Sequence, residues 1–316
     1  MTTQTQVAHK PVTKTRRSRN LKEYVTGWSF VAAPMSLFAV LSIGILFYAI
    51  YISRYDWGLL GARKYLGWQN FSDSFKDPVF LKAIRNSLLY AALVVPLQTA
   101  LGLTLALLVN SKIKGSNFFR ATFYFPSMAS SAAITTLFIL LMTPDGLFNK
   151  ILHFFGVNIG NLFNQGQWLS DSRTALYSVI MLNAWTTSGT MMLFYLANLQ
   201  GIDGTYEEVA KTDGANRWQI LRYITLPLLK PAHFFVITTG MIGALQLYDQ
   251  AILAGGADGS PNYSLMTMVL YIYNACFRQF KFGYGAAIGL ELFVLIFSLT
   301  LAQRFLFGSR AWKGDN

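Results

Sequence analysis

Six stretches of this chain run for about twenty residues or more with few or no charges, near residues 28–52, 86–109, 121–142, 174–197, 232–254 and 283–307. An α-helix rises 1.5 Å per residue and the hydrocarbon core of a bilayer is about 30 Å thick, so each stretch is long enough to cross it. The expected fold class is therefore an all-α polytopic membrane protein with six transmembrane helices.

Composition agrees with that reading. Hydrophobic residues make up 53% of the 316 and charged residues 13%, which describes a chain whose main solvent is lipid. The formal net charge of +12 raises the question of nucleic acid, but the lysines and arginines lie mostly in short segments between the apolar runs rather than on one soluble face. No nucleic-acid partner is expected. A lone cysteine, Cys276, excludes an internal disulfide and a cysteine metal cluster, and His9, His153 and His233 are too far apart for ligand spacing. Neither a metal site nor a bound cofactor is expected in this chain.

Taken in order, residues 1–27 are polar and basic, with Lys10, Lys14, Arg16, Arg17, Arg19 and Lys22, and read as a disordered cytoplasmic tail attracted weakly to anionic lipid. The apolar run after it is too long for a signal peptide and lacks a small-residue cleavage site, so it opens a transmembrane domain that covers 28–307. Residues 53–82 read as an outer loop with Trp57, Trp68 and Phe71 at headgroup level. Residues 110–120 read as a short basic turn. Pro126 falls near the start of the third span, where neighbouring helices can satisfy the carbonyl it frees. Residues 143–173 suggest a second outer loop with a short interfacial helix. Between the last two spans, the Gly- and Pro-containing stretch 255–264 reads as a flexible loop, and 264–280 as an amphipathic segment lying at the outer surface or dipping into it. Residues 308–316 form a C-terminal tail. With this division, sixteen of the 26 lysines and arginines fall on the side that holds both termini, which the positive-inside rule places in the cytoplasm.

The stretch 202–231, IDGTYEEVAKTDGANRWQILRYITLPLLKP, is a polar island between two apolar runs. It reads as two short helices joined by a glycine. Thr205 and Glu208 have the spacing of a capping box for the first helix, and Tyr206, Val209 and Ala210 then share a face. Gly214 follows Asp213 where a left-handed residue would end that helix. Asn216 with Gln219 restarts a second, and Pro227 and Pro231 mark the return to the membrane. The order Glu208-Val209-Ala210, Gly214, Ile224-Thr225-Leu226-Pro227 resembles the EAA motif of the inner-membrane permeases of binding-protein-dependent ABC importers, with Val209 in place of the usual first alanine. The segments GWQNFSDSFKDPVFLKAIRNSLLY and FFRATFYFP are similar to the sugar-transport branch, maltose-permease type.

That resemblance implies a type I importer permease fold in a bacterial or archaeal inner membrane, with 202–231 as a cytoplasmic coupling loop. It also implies a second homologous six-span permease, two ATPase subunits that bind ATP and magnesium, and an extracytoplasmic solute-binding protein that delivers a sugar or polyol. Tyr206, Glu208, Val209, Ala210, Asp213 and Gly214 are then the residues that couple to the ATPase, Tyr206, Val209 and Ala210 forming an apolar knob. A GxxxxGK[ST] phosphate loop is absent from the chain, so ATP hydrolysis is expected on another subunit and the chain itself is not an enzyme.

Polar side chains at bilayer depth are the remaining candidates, although many only join helices. Asn183, Trp185, Thr187 and Thr190 in the fourth span and Gln246, Tyr248 and Asp249 in the fifth are candidates for the substrate path. The amides and hydroxyls of Asn183, Thr187, Thr190 and Gln246 would line a cavity without fixed charge, suited to a neutral polyol, and Trp185 or Tyr248 would stack on a sugar ring. Glu291 in the last span is the best residue for a rival reading, a proton-coupled secondary carrier. A third reading is a membrane scaffold that binds a cytoplasmic partner through 202–231.

Overall fold

The computed structural model describes residues 21–111, 115–157 and 166–311. Most of the basic tail, Lys112 and Lys114 of the basic turn, and the end of the C-terminal tail lie outside the described residues. The chain divides into two compact units, the first ending at Tyr48.

The first helix is already formed at Leu21, within the stretch expected to be tail. It consists of α1 (Leu21–Phe38), a π-helical turn at Ala39–Gly44 and α2 (Ile45–Ile52). Its side chains from Thr26 onward are largely exposed all round, Trp28, Phe30, Phe38 and Phe47 among them, which is the pattern of a helix solvated by lipid.

The second unit opens with an antiparallel hairpin, β1 (Tyr55–Gly58) and β2 (Gly61–Tyr65), so the fold is not wholly helical. Tyr55 and Tyr65 face each other as a cross-strand aromatic pair 5.2 Å apart, the contact that favours strands over a loop in so short a segment. Helix α3 (Gln69–Ser74) is tied to the hairpin by Asn70, whose amide donates to the carbonyls of Ser53 at 2.7 Å and Tyr55 at 3.0 Å. Helix α4 (Pro78–Asn110) starts well before the expected span because Asp77 accepts the Val79 N–H at 2.8 Å and Pro78 occupies its first position.

The third span is not one helix. It comprises α5 (Ser116–Met128) and α6 (Ser131–Leu141), bent by 95°. Pro126 lies inside α5, and the break falls instead at Ala129, which is extended, and Ser130, which is non-helical. Serine hydroxyls there compete with the helical ladder, as Ser127 does by donating to the Tyr124 carbonyl at 2.7 Å. The short interfacial helix is present as α7 (Leu147–Phe154), held by Asn149, which donates to the carbonyls of Thr143, Pro144 and Gly166 and accepts from the Trp168 indole at 2.7 Å.

Helix α8 (Ala175–Gln200) matches the fourth span and is the most enclosed of the long helices. After α9 (Thr205–Thr212), α10 (Arg217–Ile220) continues through a π-helical turn at Leu221–Thr225 into α11 (Leu226–Leu228). The chain then bends by 66° into α12 (Lys230–Leu245). The fifth span is also interrupted, because α12 stops at Leu245 and α13 (Asp249–Gly255) follows a non-helical break at Gln246–Tyr248. The last elements are α14 (Met268–Tyr273), extended by a π-helical turn at Asn274–Arg278, and α15 (Phe282–Ala311), which runs past residue 307 into the expected tail.

Two further expectations are corrected. The 264–280 segment does not lie on the surface but enters the main apolar core, where Leu265, Met266, Met268 and Leu270 are buried. The loop before it is pinned rather than free. Asn86 donates to the carbonyls of Tyr263 at 2.8 Å and Met266 at 3.0 Å, Asn274 donates to Ala257 at 2.6 Å, and Arg278 pairs with Asp258 at 2.7 Å.

Helix α4 is the spine of the second unit, packed against α8, α12 and α14. Its two ends belong to different apolar clusters. Phe80, Tyr90 and Val94 join Val179, Leu245, Leu265 and Ile288 at the Pro78 end, while Ala106 and Val109 join Met192, Tyr195, Leu229 and Val236 at the Asn110 end. Among the described residues, three helices are long and apolar enough to cross a membrane, Thr26–Ile52, Pro78–Asn110 and Phe282–Phe305, or up to five if each bent pair counts as one span. Helix α8 has the length but not the apolarity, because Asn183 to Thr190 interrupt it with amide and hydroxyl groups.

Asn86→Leu strands the buried Met266 carbonyl and the part-buried Tyr263 carbonyl, and a buried group left unsatisfied costs about 1–3 kcal/mol. Thermal unfolding of the detergent-solubilised protein should show a clear loss of stability, and a melt unchanged from wild type would refute the pinning of the loop by Asn86.

Candidate functional site

The 202–231 hairpin folds as two short helices around a glycine elbow, with one change in how it starts. Thr205 is the first residue of α9 and Gly204 before it carries no side-chain cap; the side chain that holds the entry is Asp203, one residue further out. The Asp203 carboxylate accepts the Thr205 N–H at 2.9 Å and its hydroxyl at 2.7 Å, which leaves Thr205 inside the helix and no capping box with Glu208. A carboxylate is the stronger acceptor and lies closer to the positive end of the helix dipole. Those two hydrogen bonds, the backbone one first, hold the Asp203 carboxyl below the usual carboxylate range. A lowered folded value means that this pair of bonds is fully present above the ordinary pKa and is lost only as pH falls through the depressed one.

The far end of α9 closes as a Schellman motif. Ala215 N–H reaches the Ala210 carbonyl at 2.9 Å and Gly214 N–H the Lys211 carbonyl at 3.1 Å, with Gly214 at φ 81°. A Cβ on Gly214 would meet nothing within 4 Å. Its requirement is therefore one of backbone conformation and not of space. Asn216 and Gln219 form a reciprocal capping box, each side chain accepting the other's N–H, at 2.9 and 2.7 Å.

Tyr206 and Val209 are 56% and 55% exposed, but Ala210 is buried, so the exposed knob consists of the first two only. Glu207 pairs with Lys211 at 2.7 Å, and Glu208 is exposed beside it. Trp218 and Tyr223, which the sequence reading passed over, are as exposed as Tyr206 and extend the aromatic surface onto the second helix. Asp213 and Gly214 line a cavity of about 300 Å³ in the elbow together with Gln219, Tyr223 and Ile224.

The candidate path residues do not gather at one place. Asn183, Thr187 and Thr190 share a face of α8 at helical spacing and are half-buried. Thr187 is committed to a neighbour, its hydroxyl lying 2.7 Å from both the Gln98 side-chain oxygen on α4 and the Asn183 carbonyl. Trp185 is on the opposite face and half-exposed. Gln246, Tyr248 and Asp249 cluster instead at the break between α12 and α13. Tyr248 packs against Tyr273 with ring centroids 5.4 Å apart, and the Leu247 carbonyl freed by the break accepts from Thr267 at 2.7 Å. Among the described residues no hydrogen bond joins the α8 group to the break. Glu291 is held at a helix interface, where its Oε1 accepts from the buried Ser74 hydroxyl at 2.6 Å.

The family model described as "Binding-protein-dependent transport system inner membrane component" matches residues 98–309, more than half the chain and all of the hairpin. The chain belongs to this family. Among its relatives, the lactose transport system permease protein LacF of Rhizobium radiobacter is 34% identical over 288 residues, 90% of this chain and 95% of the relative. The multiple sugar-binding transport system permease protein MsmF of Streptococcus mutans is 30% identical over 278 residues, 88% of this chain and 93% of the relative. The permease also shares its fold with a chain of a bacterial ABC transporter involved in import of the acidic polysaccharide alginate, at a TM-score of 0.78 and 20% identity, covering 92% of this chain and 97% of that one. Membership of a transport family leaves the carrier reading of Glu291 without support.

Because only backbone strain opposes a side chain at Gly214, and asparagine tolerates left-handed φ better than other residues, the permease should distinguish substitutions there by conformation rather than size. Gly214→Asn should retain most of the transport activity of the assembled complex and Gly214→Val should lose nearly all of it, with membrane insertion of both intact. Equal activity in the two variants would refute the role of the elbow.

Proposed function

We propose that this chain is one of two homologous six-span permease subunits of a type I ATP-driven importer that carries a sugar or related polyol. The observation that carries the reading is the 202–231 hairpin, a capped, glycine-turned elbow with exposed Tyr206, Val209 and Trp218, lying within the region that matches the family. In this reading the elbow is the coupling element, lies in the cytoplasm with both termini, and seats in a cleft of a separate ATPase subunit.

Tyr206, Val209, Glu208, Asp213 and Gly214 carry the docking surface, with Ala210 packed beneath it. ATP and magnesium bind on the two ATPase subunits. Closure of the ATPase dimer moves the docked elbows, and the spans rock between inward- and outward-facing states about a site near the midplane. The fifth and sixth helical crossings needed for this topology are α8, too polar to face lipid and enclosed by its neighbours, and the bent pair that ends in α13.

The substrate class rests on three supports. The named relatives LacF and MsmF are sugar-transport permeases. A structure of the same fold, at a TM-score of 0.77, is an alginate ABC transporter in complex with an alginate pentasaccharide-bound periplasmic protein, which supports an extracytoplasmic solute-binding protein as the delivering partner here. The half-buried groups at mid-span on α8, Asn183 and Thr190, and the exposed Gln246 and half-buried Tyr248 at the helix break are neutral. Backbone that leaves the helix at membrane depth is stable only where protein buries it or water reaches it, which makes the Gln246–Tyr248 break the preferred end of the path.

Reconstitution of the full complex in proteoliposomes, with its binding protein outside and ATP inside, tests the reading. Uptake should require both ATP and the binding protein and should survive an uncoupler. Uptake that persists without ATP and collapses with the proton gradient would overturn it. In a thermal-shift screen the binding protein should be stabilised by a sugar or polyol, and stabilisation by amino acids alone would sink the substrate class.

A further inference from the structure

Helix α8 is covered differently along its two halves. Tyr177, Met181 and Trp185 recur at four-residue spacing and so share one face, and they are 53, 38 and 49% exposed. Continued toward Gln200, the same face carries Ser188 and Met192, which are buried where α5 packs on it, close enough that a Cβ on Gly189 would stand 2.4 Å from the Phe123 carbonyl oxygen. That cover stops where the chain turns by 95° into α6, which packs against α13 instead. The uncovered length, from Ala175 to Trp185, is about 15 Å, half of a hydrocarbon core about 30 Å thick. One leaflet's depth of α8 is thus left bare, on the face opposite Asn183 and Thr190.

At the Ala175 end of this face is a cavity of about 390 Å³, a size typical of ligand sites. Its aromatic wall is held in place, since the Trp168 indole is tied to Asn149 and meets Phe148 edge-on with ring centroids 5.3 Å apart. The hydroxyls that line it are already used. Thr174 donates to the Trp168 carbonyl at 2.6 Å, and Ser178 donates to the Thr174 carbonyl at 3.0 Å. Two opposite charges remain at the cavity, Asp171 and Arg173. One oxygen of Asp171 accepts the Arg173 backbone N–H at 2.8 Å, yet among the described residues neither its carboxylate nor the Arg173 guanidinium enters an ion pair.

We propose that the cavity and the bare face below it hold one phospholipid whose headgroup carries a phosphate and a primary ammonium. The Arg173 fork takes the phosphate, for which its geometry is suited. The second oxygen of Asp171 takes the ammonium N–H groups, and an acyl chain lies along Tyr177, Met181 and Trp185 for the depth of its leaflet. The charges select this occupant over others. A neutral sugar would find the hydroxyls of Thr174 and Ser178 spent, a purely anionic headgroup would meet Asp171, and a quaternary ammonium has no N–H to offer that carboxylate. Trp185 is then a lipid contact and not part of the substrate path. The site itself is independent of the importer reading above, and only its assignment to the outer leaflet rests on that reading.

The test is native mass spectrometry of the complete complex, delipidated in detergent and titrated with phosphatidylethanolamine, phosphatidylcholine and phosphatidylglycerol of identical acyl chains. Phosphatidylethanolamine should bind most tightly. Arg173→Gln should weaken it about tenfold or more, the loss expected for charge-assisted hydrogen bonds. Asp171→Asn keeps the oxygen that accepts the Arg173 N–H and should abolish the preference over phosphatidylglycerol. Should one variant fail to assemble, the other decides. Equal affinity for the three lipids in wild type, or an unchanged preference in an assembled variant, overturns the site. So does release of phosphatidylethanolamine on adding a neutral disaccharide, which would make the cavity a sugar subsite, and so does a complex that takes up none, which would leave this face to the second permease. Absence of ATP-driven uptake in proteoliposomes refutes the importer reading and the choice of leaflet, whereas a working importer without headgroup preference refutes the lipid site alone.

Discussion

Inside a bilayer there is no water to receive the hydrogen bonds that a backbone gives up when it leaves a helix, and each free carbonyl or N–H costs several kcal/mol. This chain leaves the helix repeatedly at or near membrane depth. At two of these departures a side chain from elsewhere takes up the freed carbonyls. The Leu247 carbonyl receives the Thr267 hydroxyl and the carbonyls of Tyr263 and Met266 receive the Asn86 amide, while beside the α5–α6 break the Ser131 hydroxyl receives the Gln250 amide of α13. The buried amides and hydroxyls are thus the means by which broken helices are kept in place, and the apolar clusters assemble around them.

That economy explains which parts of the structure were legible in advance. Charge-free runs located the helices, since length and apolarity are properties of a segment alone. The breaks at Ala129–Ser130 and Gln246–Tyr248 were not legible, because neither contains glycine or proline and both are stabilised by residues more than a hundred positions away or on a different element. The 264–280 segment looked interfacial for a related reason. Its mixture of Tyr, Asn and Met suits a membrane surface, and only the docking of Met266 and Met268 onto Asn86 and Ser87 of α4 shows it to be core.

The elbow was more legible because its determinants are local. Gly214 and the Asn216–Gln219 box act within a few residues of themselves. The first cap expected at Thr205 is absent, because Thr205 already lies in the helix and its hydroxyl and N–H are taken by Asp203. The path residues fared worst. A threonine at mid-span reads the same whether it faces a cavity or a neighbouring helix, and Thr187 proved to face Gln98. Gln98 interrupts a long apolar run, but nothing in the run names its partner.

Leu229 occupies the 66° bend between α11 and α12 and is buried in the apolar cluster at the Asn110 end of α4. The corner is thus set in packed side chains, so the angle at which the elbow leaves the membrane helices is fixed by the core and not by the stiffness of a loop.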